Sequence, residues 1–191
     1  MAEMPETELP EHGHNDPFRT RCAMLVSCLA MVLAIAGLGG NNAAKDSMVN
    51  NILASNAYSF YQAKNVRQTE YKIAAADLEI QLAQDKQTPA AKALMEKKLA
   101  DYKKNIERYE SEPETGEGKK ELMERAKEYE HERDHAMAQD PWFDYAEALL
   151  QIAIVLTSVA ILTGVQALFW IPLGLGALGI LSTLNGFLLL I

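Results

Sequence analysis

Two long stretches of this chain contain no charged residue, and they limit its possible folds more than any other feature. Residues 22–44 form the first stretch and residues 148–191 form the second. A membrane-spanning helix needs about 20 apolar residues to cross a hydrocarbon core of about 30 Å. The first stretch has room for one such helix. The second would be about 66 Å long as a single helix, so it must fold back on itself.

The reversal in the second stretch is predicted at residues 163–166, because Gly164 interrupts the apolar run there. The sequence therefore predicts an all-α integral membrane protein with three transmembrane helices. We place these helices at residues 21–40, 146–165 and 168–190. In the third span, small residues at five positions are expected to let it pack closely against a neighbouring helix: Gly174, Gly176, Gly179, Ser182 and Gly186.

All 44 charged residues, 18 basic and 26 acidic, lie in residues 1–21 or 45–147. The first of these segments holds five acidic and two basic residues, and the second holds 21 acidic and 16 basic residues. Residues 1–20 are predicted to form a disordered acidic tail, since so few apolar residues interrupt the polar ones. Neither segment is basic enough to suggest binding to nucleic acid.

The segment between the first two spans, residues 41–145, is predicted to form a helical hairpin stalk outside the bilayer. Residues 45–85 contain neither proline nor glycine and are rich in helix-favouring side chains, so they predict one long helix. Thr88 and Pro89 supply the N-cap and first-position signals of a second helix. One long helix leaving the bilayer and two shorter helices returning to it make a closed hairpin.

A third helix is predicted after the break formed by Pro113, Gly116 and Gly118. Asp140 and Pro141 then give another N-cap and first-position signal. They predict that the third helix ends there and that the second span begins as a new helix.

Both returning helices carry a row of residues with the alternating spacing of four and three that marks a coiled-coil packing face. The row of the second helix consists of Met95, Leu99, Tyr102, Ile106 and Tyr109. The row of the third helix consists of Leu122, Ala126, Tyr129, Arg133 and Ala136. We expect these two rows to face the long helix, in a coiled-coil-like arrangement.

The long helix itself has two apolar rows. One row contains Val66, Ile73 and Ile80. The other lies more than a third of a circle away and contains Val49, Leu53, Phe60, Tyr71, Leu78 and Leu82. One row is enough to pack the returning helices, so the second suggests further helices, most simply from other copies of the chain. A broad single face inside a three-helix monomer is an equally open alternative.

Residues 56–71 gather four aromatic side chains with Lys64 and Arg67 in the half of the stalk nearer the bilayer. We treat this segment, the second apolar row and the seam of the second helix as a candidate interaction surface. Packing within the chain is the alternative role for the aromatic residues. The candidate surface comprises Phe60, Tyr61, Lys64, Arg67, Tyr71, Leu78, Met95, Leu99, Tyr102, Ile106 and Tyr109.

Residues 131–135 read H-E-R-D-H, which fits the H-E-x-x-H pattern of zinc metalloproteases. Such a site needs both histidines to face a protected cleft, and it needs a third protein ligand. At about 100° per residue, His131 and His135 fall on the side of the third helix opposite Leu122. We therefore expect these two histidines to face water, so that they and Glu132 would not form a protected site. Neither a catalytic metal nor another cofactor is predicted, and a zinc metallopeptidase is the least favoured alternative.

The orientation follows from charges beside the spans. Arg19 and Arg21 precede the first span, whereas Asp140, Asp144 and Glu147 crowd the start of the second. The positive-inside rule then places the N-terminus in the cytoplasm and the stalk outside, in the periplasm of a bacterium.

No acidic residue, lysine, arginine or histidine lies in the core of the three spans, where proton relays and ion-coupled transporters commonly carry such groups. The sequence therefore counts against an independent pump. A pore formed by several copies stays open as an alternative. Its candidate lining residues are Thr157, Ser158, Thr163 and Asn185.

Residues 56–71, with the sequence NAYSFYQAKNVRQTEY, and residues 143–163, which include AEALLQIAIVL, resemble a family of bacterial membrane proteins. That family is catalogued as domain of unknown function 4337, and the similarity covers about residues 22–166. The resemblance implies three spans flanking a helical middle segment in a bacterial membrane. It implies no activity and no catalytic residues.

These observations favour a non-enzymatic role as a membrane-anchored oligomeric scaffold or as an accessory subunit of a membrane complex. The expected location is the bacterial inner membrane. The expected partners are the lipid bilayer, other copies of the chain and, as a further candidate, another membrane protein. A homo-oligomeric channel or an envelope-stress sensor is the competing hypothesis.

Overall fold

The computed structural model describes residues 16–84 and 86–190, which form an all-α fold with no strand among them. The all-α prediction is confirmed. Residues 1–15 of the predicted acidic tail lie outside the described residues. The helices are α1 (Pro17–Ala83), α2 (Pro89–Glu110), α3 (Lys119–Thr163) and α4 (Trp170–Leu188), and a 3-10 turn (Gln166–Phe169) precedes α4.

The chain divides into two compact units. The first, called here the apolar unit, is Met1–Asn41 together with Ala138–Ile191, and the second, the charged unit, is Asn42–Met137. Three helical segments are long and apolar enough to cross a membrane, which matches the number of predicted spans. They lie within Pro17–Ala83, Lys119–Thr163 and Gln166–Leu188.

Local signals fixed several helix ends as predicted. Thr88 caps α2, since its hydroxyl oxygen accepts a hydrogen bond of 3.3 Å from the Ala91 amide. Helix α3 ends at Thr163, and Gly164 adopts a left-handed φ of 69°, a conformation that glycine reaches without steric cost. The predicted turn at residues 163–166 is therefore confirmed.

The predicted helix start at Asp140 and Pro141 is wrong, because α3 runs through Pro141 without a break. Proline lacks an amide hydrogen, so one backbone bond of this helix is lost. Phe143 and Ala146, two and five residues after the proline, are fully buried. The carbonyl of Trp142 also accepts a hydrogen bond of 2.6 Å from outside its own helix. The first predicted span and the long stalk helix also form one uninterrupted helix, α1.

The core of the apolar unit forms around Phe143, whose side chain is 1% exposed. Its ring meets Phe187 edge to face at 4.9 Å. A Cβ atom added at Gly39 or Gly186 would lie 2.5 Å or 2.8 Å from Cε1 of Phe143, closer than real Cβ contacts. Glycines of α1 and α4 therefore form the hole that receives this ring.

Two further large side chains of the apolar unit occupy glycine gaps in α4. Leu29 of α1 lies against Gly176, where an added Cβ would be 2.5 Å from Cδ2 of the leucine. Leu150 of α3 lies against Gly179, with a corresponding distance of 2.7 Å to its Cγ. The small residues of α4 thus allow close packing with helices of the same chain.

In the charged unit, α1 is buried or half-buried at every third or fourth residue, a spacing that matches a heptad packing face. We call this set the inner face. Four of its members are alanines, which leave room for larger side chains from α2 and α3. The inner face consists of Ala43, Ser47, Asn50, Ala54, Ala57, Tyr61, Lys64, Gln68, Tyr71, Ala75, Leu78 and Leu82.

The predicted rows of the two returning helices are buried or half-buried throughout, in agreement with their expected role in packing. Tyr109 is buried on α2, and Leu122, Ala126 and Ala136 are buried on α3. The other members of both rows are half-buried. The charged unit therefore has a narrow core, made by small residues of α1 and larger residues of its two partners.

Candidate functional site

A buried polar cluster lies in the charged unit and centres on Gln68, whose side chain is 1% exposed. Its amide nitrogen donates to the Ile106 carbonyl at 2.9 Å and to a Glu110 carboxylate oxygen at 2.8 Å. Its amide oxygen accepts from the ammonium groups of Lys119 at 2.9 Å and Lys72 at 3.2 Å. All hydrogen-bonding positions of this amide are thereby occupied.

The same cluster holds an ion pair between Lys119 and Glu110 at 3.3 Å. Hydrogen bonds from Gln68 and then from Lys119 hold the pKa of Glu110 below its ordinary value, because both stabilise the charged carboxylate. The cluster joins α1, the end of α2 and the first residue of α3. A buried polar group in a helical seam is a known means of fixing helix register. Such a role suits Gln68.

The aromatic candidates contact one another inside the charged unit. The ring of Tyr71 lies 5.4 Å from that of Tyr102 and 5.8 Å from that of Tyr109. The Lys64 ammonium lies 5.4 Å from the centre of the Tyr109 ring, and that of Lys119 lies 5.6 Å from the centre of the ring of Tyr61. These residues therefore pack within the chain.

Four further candidates, Leu78, Met95, Leu99 and Ile106, are half-buried in the same unit. A role for the aromatic and seam residues in binding another molecule stays a prediction. The structure gives them a packing role in the monomer.

Two candidates of the predicted interaction surface, Phe60 and Arg67, are exposed. Phe60 is 63% exposed and lies at a groove of about 330 Å³, which Leu122 and Arg125 also line. The Arg125 guanidinium donates to the Gly116 carbonyl at 3.2 Å, so one of the two arginines is already engaged by the chain. The groove combines apolar and basic groups with the carboxylate of Glu117, which is ion-paired with Lys64 at 3.2 Å.

His131 and His135 are exposed, as the helical phase predicts, and Glu132 is exposed as well. A neighbouring residue, Glu130, accepts a hydrogen bond of 3.0 Å from the Tyr58 hydroxyl, and this bond raises the pKa of Tyr58. Among residues 16–84 and 86–190, no group of three His, Cys, Asp or Glu side chains is placed to hold a metal ion.

The hydroxyls proposed to line a pore donate to carbonyls four residues earlier in their own helix. The distances are 2.7 Å for Thr157, 3.0 Å for Ser158 and 2.9 Å for Thr163. The side-chain oxygen of Asn185 accepts from the Leu190 amide at 2.9 Å. Each of these groups has a partner within the chain, and a pore stays a prediction without a specific structural observation in its favour.

The first predicted apolar row of α1 is exposed in the structure. Val66, Ile73 and Ile80 are 55%, 66% and 62% exposed. Thr69, Ala76 and Ala83 are also exposed and complete a spacing of three and four residues. We call this set the outer row: Val66, Thr69, Ile73, Ala76, Ile80 and Ala83.

The sequence showed the valine and isoleucines of the outer row but did not predict their exposure, because they were available to pack the returning helices. Counting at about 100° per residue places Ile73 about 160° from Ala75 and Gln68 about 140° from Ile73. The row thus lies on the side of α1 away from the inner face. The heptad spacing of its valine and isoleucines was the signal that marks it.

The fold and these surfaces define a class of protein: an all-α chain in which three helices apolar enough to cross a membrane accompany a charged helical unit. The chain belongs to the family described as domain of unknown function (DUF4337), whose model matches residues 18–189. The match confirms the predicted family and extends beyond residues 22–166 to include α4. No curated protein matches the chain, and no solved structure does so.

Proposed function

We propose that this protein is a membrane-anchored, non-enzymatic scaffold or accessory subunit that presents the charged unit to a helical partner. The three apolar helical segments would anchor the chain in the bacterial inner membrane. Arg19 and Arg21 beside the first span favour a cytoplasmic N-terminus and a periplasmic charged unit.

The observation that carries this proposal is the two-sided character of α1 in the charged unit. Its inner face is occupied by α2 and α3, yet Val66, Ile73 and Ile80 remain exposed on another side. Three large β-branched residues at sevenfold spacing are unusual on a fully solvated helix, where polar residues normally lie. A row of this kind suits the seam of a further helix.

The direct test is native mass spectrometry of the full chain, extracted from its own membrane in mild detergent. We expect the wild-type chain to carry additional copies or a defined protein partner. Ile73→Glu should release them, because a charge would be buried at the centre of the outer row. Leu94→Glu is the matched control, since Leu94 is 56% exposed on α2, away from the outer row.

Two results would overturn the proposal. The first is a wild-type monomer without any protein partner. The second is an assembly that survives Ile73→Glu as well as it survives Leu94→Glu. The helical circular dichroism of both variants should match the wild type, which separates lost assembly from lost folding.

A further inference from the structure

We propose that the partner of the outer row is a second copy of this chain, paired parallel and in register along α1. The inference rests on the proposed function, because it requires the outer row to be a binding surface. It adds the identity and the direction of the partner helix.

The residue types of the outer row suit a parallel pair of helices. In heptad terms, Val66, Ile73 and Ile80 occupy the a positions, and β-branched residues at a favour two-stranded parallel coiled coils. The d positions hold Thr69, Ala76 and Ala83, whose small side chains let two helix backbones approach closely. No position of the outer row carries a charge.

The one polar member of the outer row can be buried at low cost. The Thr69 hydroxyl donates a hydrogen bond of 2.8 Å to the Asn65 carbonyl of the preceding helical turn. A buried hydroxyl is costly chiefly when it has no partner. Here the bond is made within α1, so Thr69 presents its methyl group to a second copy without leaving an unpaired donor.

The charges beside the outer row select the parallel direction. In a parallel pair, each g position faces the e position five residues later in the other copy. Lys72 then faces Asp77 of the second copy, and this opposite-charge pair occurs twice by symmetry. The other two combinations, Asn65 with Glu70 and Glu79 with Gln84, contain one charge each and no like-charge repulsion.

An antiparallel pair would instead place e positions against e positions. Glu70 and Asp77 are both acidic, so carboxylates of the two copies would face each other. The g positions would also face each other, and their opposite-charge pair, Lys72 with Glu79, would be offset by that repulsion, whereas the parallel pair has no like-charge contact. All the flanking charges are exposed. Lys72 donates to Gln68 at 3.2 Å, and Asp77 accepts from Gln81 at 2.7 Å, through side chains that can also reach an adjacent helix.

Anchoring in a membrane would compensate for the short length of the outer row. Residues 66–83 span about 27 Å of helix, or about two and a half heptads, which is short for a stable coiled coil in solution. Two copies anchored in one bilayer share one orientation and are confined near each other, which raises the effective concentration of one seam for the other. The orientation imposed by the anchor agrees with the parallel direction that the charges favour.

The test is oxidative cross-linking of single-cysteine variants of the full chain in its membrane, with Cys22 and Cys28 replaced by alanine. Val66→Cys and Ile80→Cys should each give disulfide-linked dimers, because equal a positions face each other only in parallel, in-register pairing. Leu94→Cys is the exposed control on α2 and should stay monomeric. In an antiparallel pair, a positions would face d positions, so residue 66 would lie opposite residue 83 and residue 80 opposite residue 69. Equal positions would then lie about 26 Å apart for residue 66 and about 17 Å apart for residue 80.

A charge-reversal series tests the direction independently, in the Ile80→Cys background. Lys72→Asp and Asp77→Lys should each lower the cross-linked fraction at least about twofold at low salt, because each places like charges together. The doubly reversed chain should recover the starting fraction, since the opposite-charge pair is restored. Equal cross-linking in all four chains would contradict the predicted pairing.

The failures of the two proposals are distinguishable. If Ile73→Glu releases a different protein while Val66→Cys and Ile80→Cys form no homodimer, self-pairing is wrong and the scaffold function stands. Cross-linking only in a mixture of Val66→Cys and Ala83→Cys chains would overturn the parallel direction. If no variant loses a partner, both proposals are wrong.

Discussion

The amide oxygen of Gln68 accepts a hydrogen bond of 2.9 Å from the ammonium of Lys119, and both side chains are buried in the charged unit. This contact joins α1 to the first residue of α3. Glu110 completes the arrangement, because its carboxylate contacts both partners. A buried ammonium without such acceptors would be strongly destabilising, so the three residues depend on one another.

Gln68→Met should lower the free energy of unfolding by about 1–3 kcal/mol, the cost of leaving buried polar groups unsatisfied. Methionine is similar in length but offers Lys119 no comparable acceptor. Thermal unfolding of the full chain in detergent, followed by circular dichroism, measures the effect. Gln62→Met is the matched control on the same helix, because Gln62 is exposed. Equal unfolding temperatures for the two variants would contradict a structural role for the cluster.

The pH dependence of stability should carry a contribution from Glu110. Its folded-state pKa lies below the ordinary value of 4.5, so the charged carboxylate is favoured in the folded chain. The resulting stabilisation is present above pH 4.5 and is lost as the pH falls through the lower folded pKa. Glu110→Gln should therefore destabilise the chain most at neutral pH. The difference in melting temperature should shrink as the pH is lowered from 7 towards 3, and a constant difference would refute this linkage.

Gly186→Ala should destabilise the apolar unit by about 1–3 kcal/mol, the usual cost of overpacking. The added Cβ would lie 2.8 Å from Cε1 of Phe143. Gly174→Ala is the control on the same helix, since no atom lies within 4 Å of its added Cβ. Thermal unfolding should separate the two substitutions.

The glycine prediction has a second test. Phe143→Leu removes the ring that an alanine at residue 186 would meet, so the two substitutions together should cost less than their sum. Strict additivity would show that the alanine does not act through Phe143.

The features that the sequence predicted correctly are set by residues close together in the chain. The apolar runs gave the number of candidate spans, Thr88 gave a helix start and Gly164 gave a turn, because each signal acts within a few residues. The seams of α2 and α3 were also predictable, since their larger side chains follow a simple heptad spacing. The turn at Gly164 needs only one residue able to adopt a positive φ.

The inner face of α1 was not predictable from apolarity, because it consists largely of alanine and polar residues. Tyr102, Tyr109 and Leu122 of the partner helices supply much of the volume, and small residues of α1 receive it. Gln68 is polar, so it was not expected in a core. Three of its four hydrogen-bond partners lie 38 to 51 positions away, which no local pattern reveals.

The second predicted apolar row divides in the structure for a geometric reason. Counting at 100° per residue gives a straight row, whereas a heptad packing face drifts by about 20° per heptad relative to it. Val49, Leu53 and Phe60 are consequently exposed, while Tyr71, Leu78 and Leu82 reach the inner face. Tyr71 and Leu78, two members of the predicted interaction surface, therefore pack inside the chain.

Pro141→Ala distinguishes a continuous α3 from the helix start that the sequence suggested. Within a continuous helix, alanine restores an amide donor and removes a clash, so the variant should unfold at a higher temperature. The gain should be at most about 3 kcal/mol, the cost of proline relative to alanine in a helix interior. At a true first helical position, proline costs nothing and restricts the unfolded chain, so alanine would be neutral or destabilising. Pro89→Ala, at the first position of α2, is the internal reference for that second outcome. If Pro141→Ala raises the unfolding temperature and Pro89→Ala does not, α3 is continuous through residue 141.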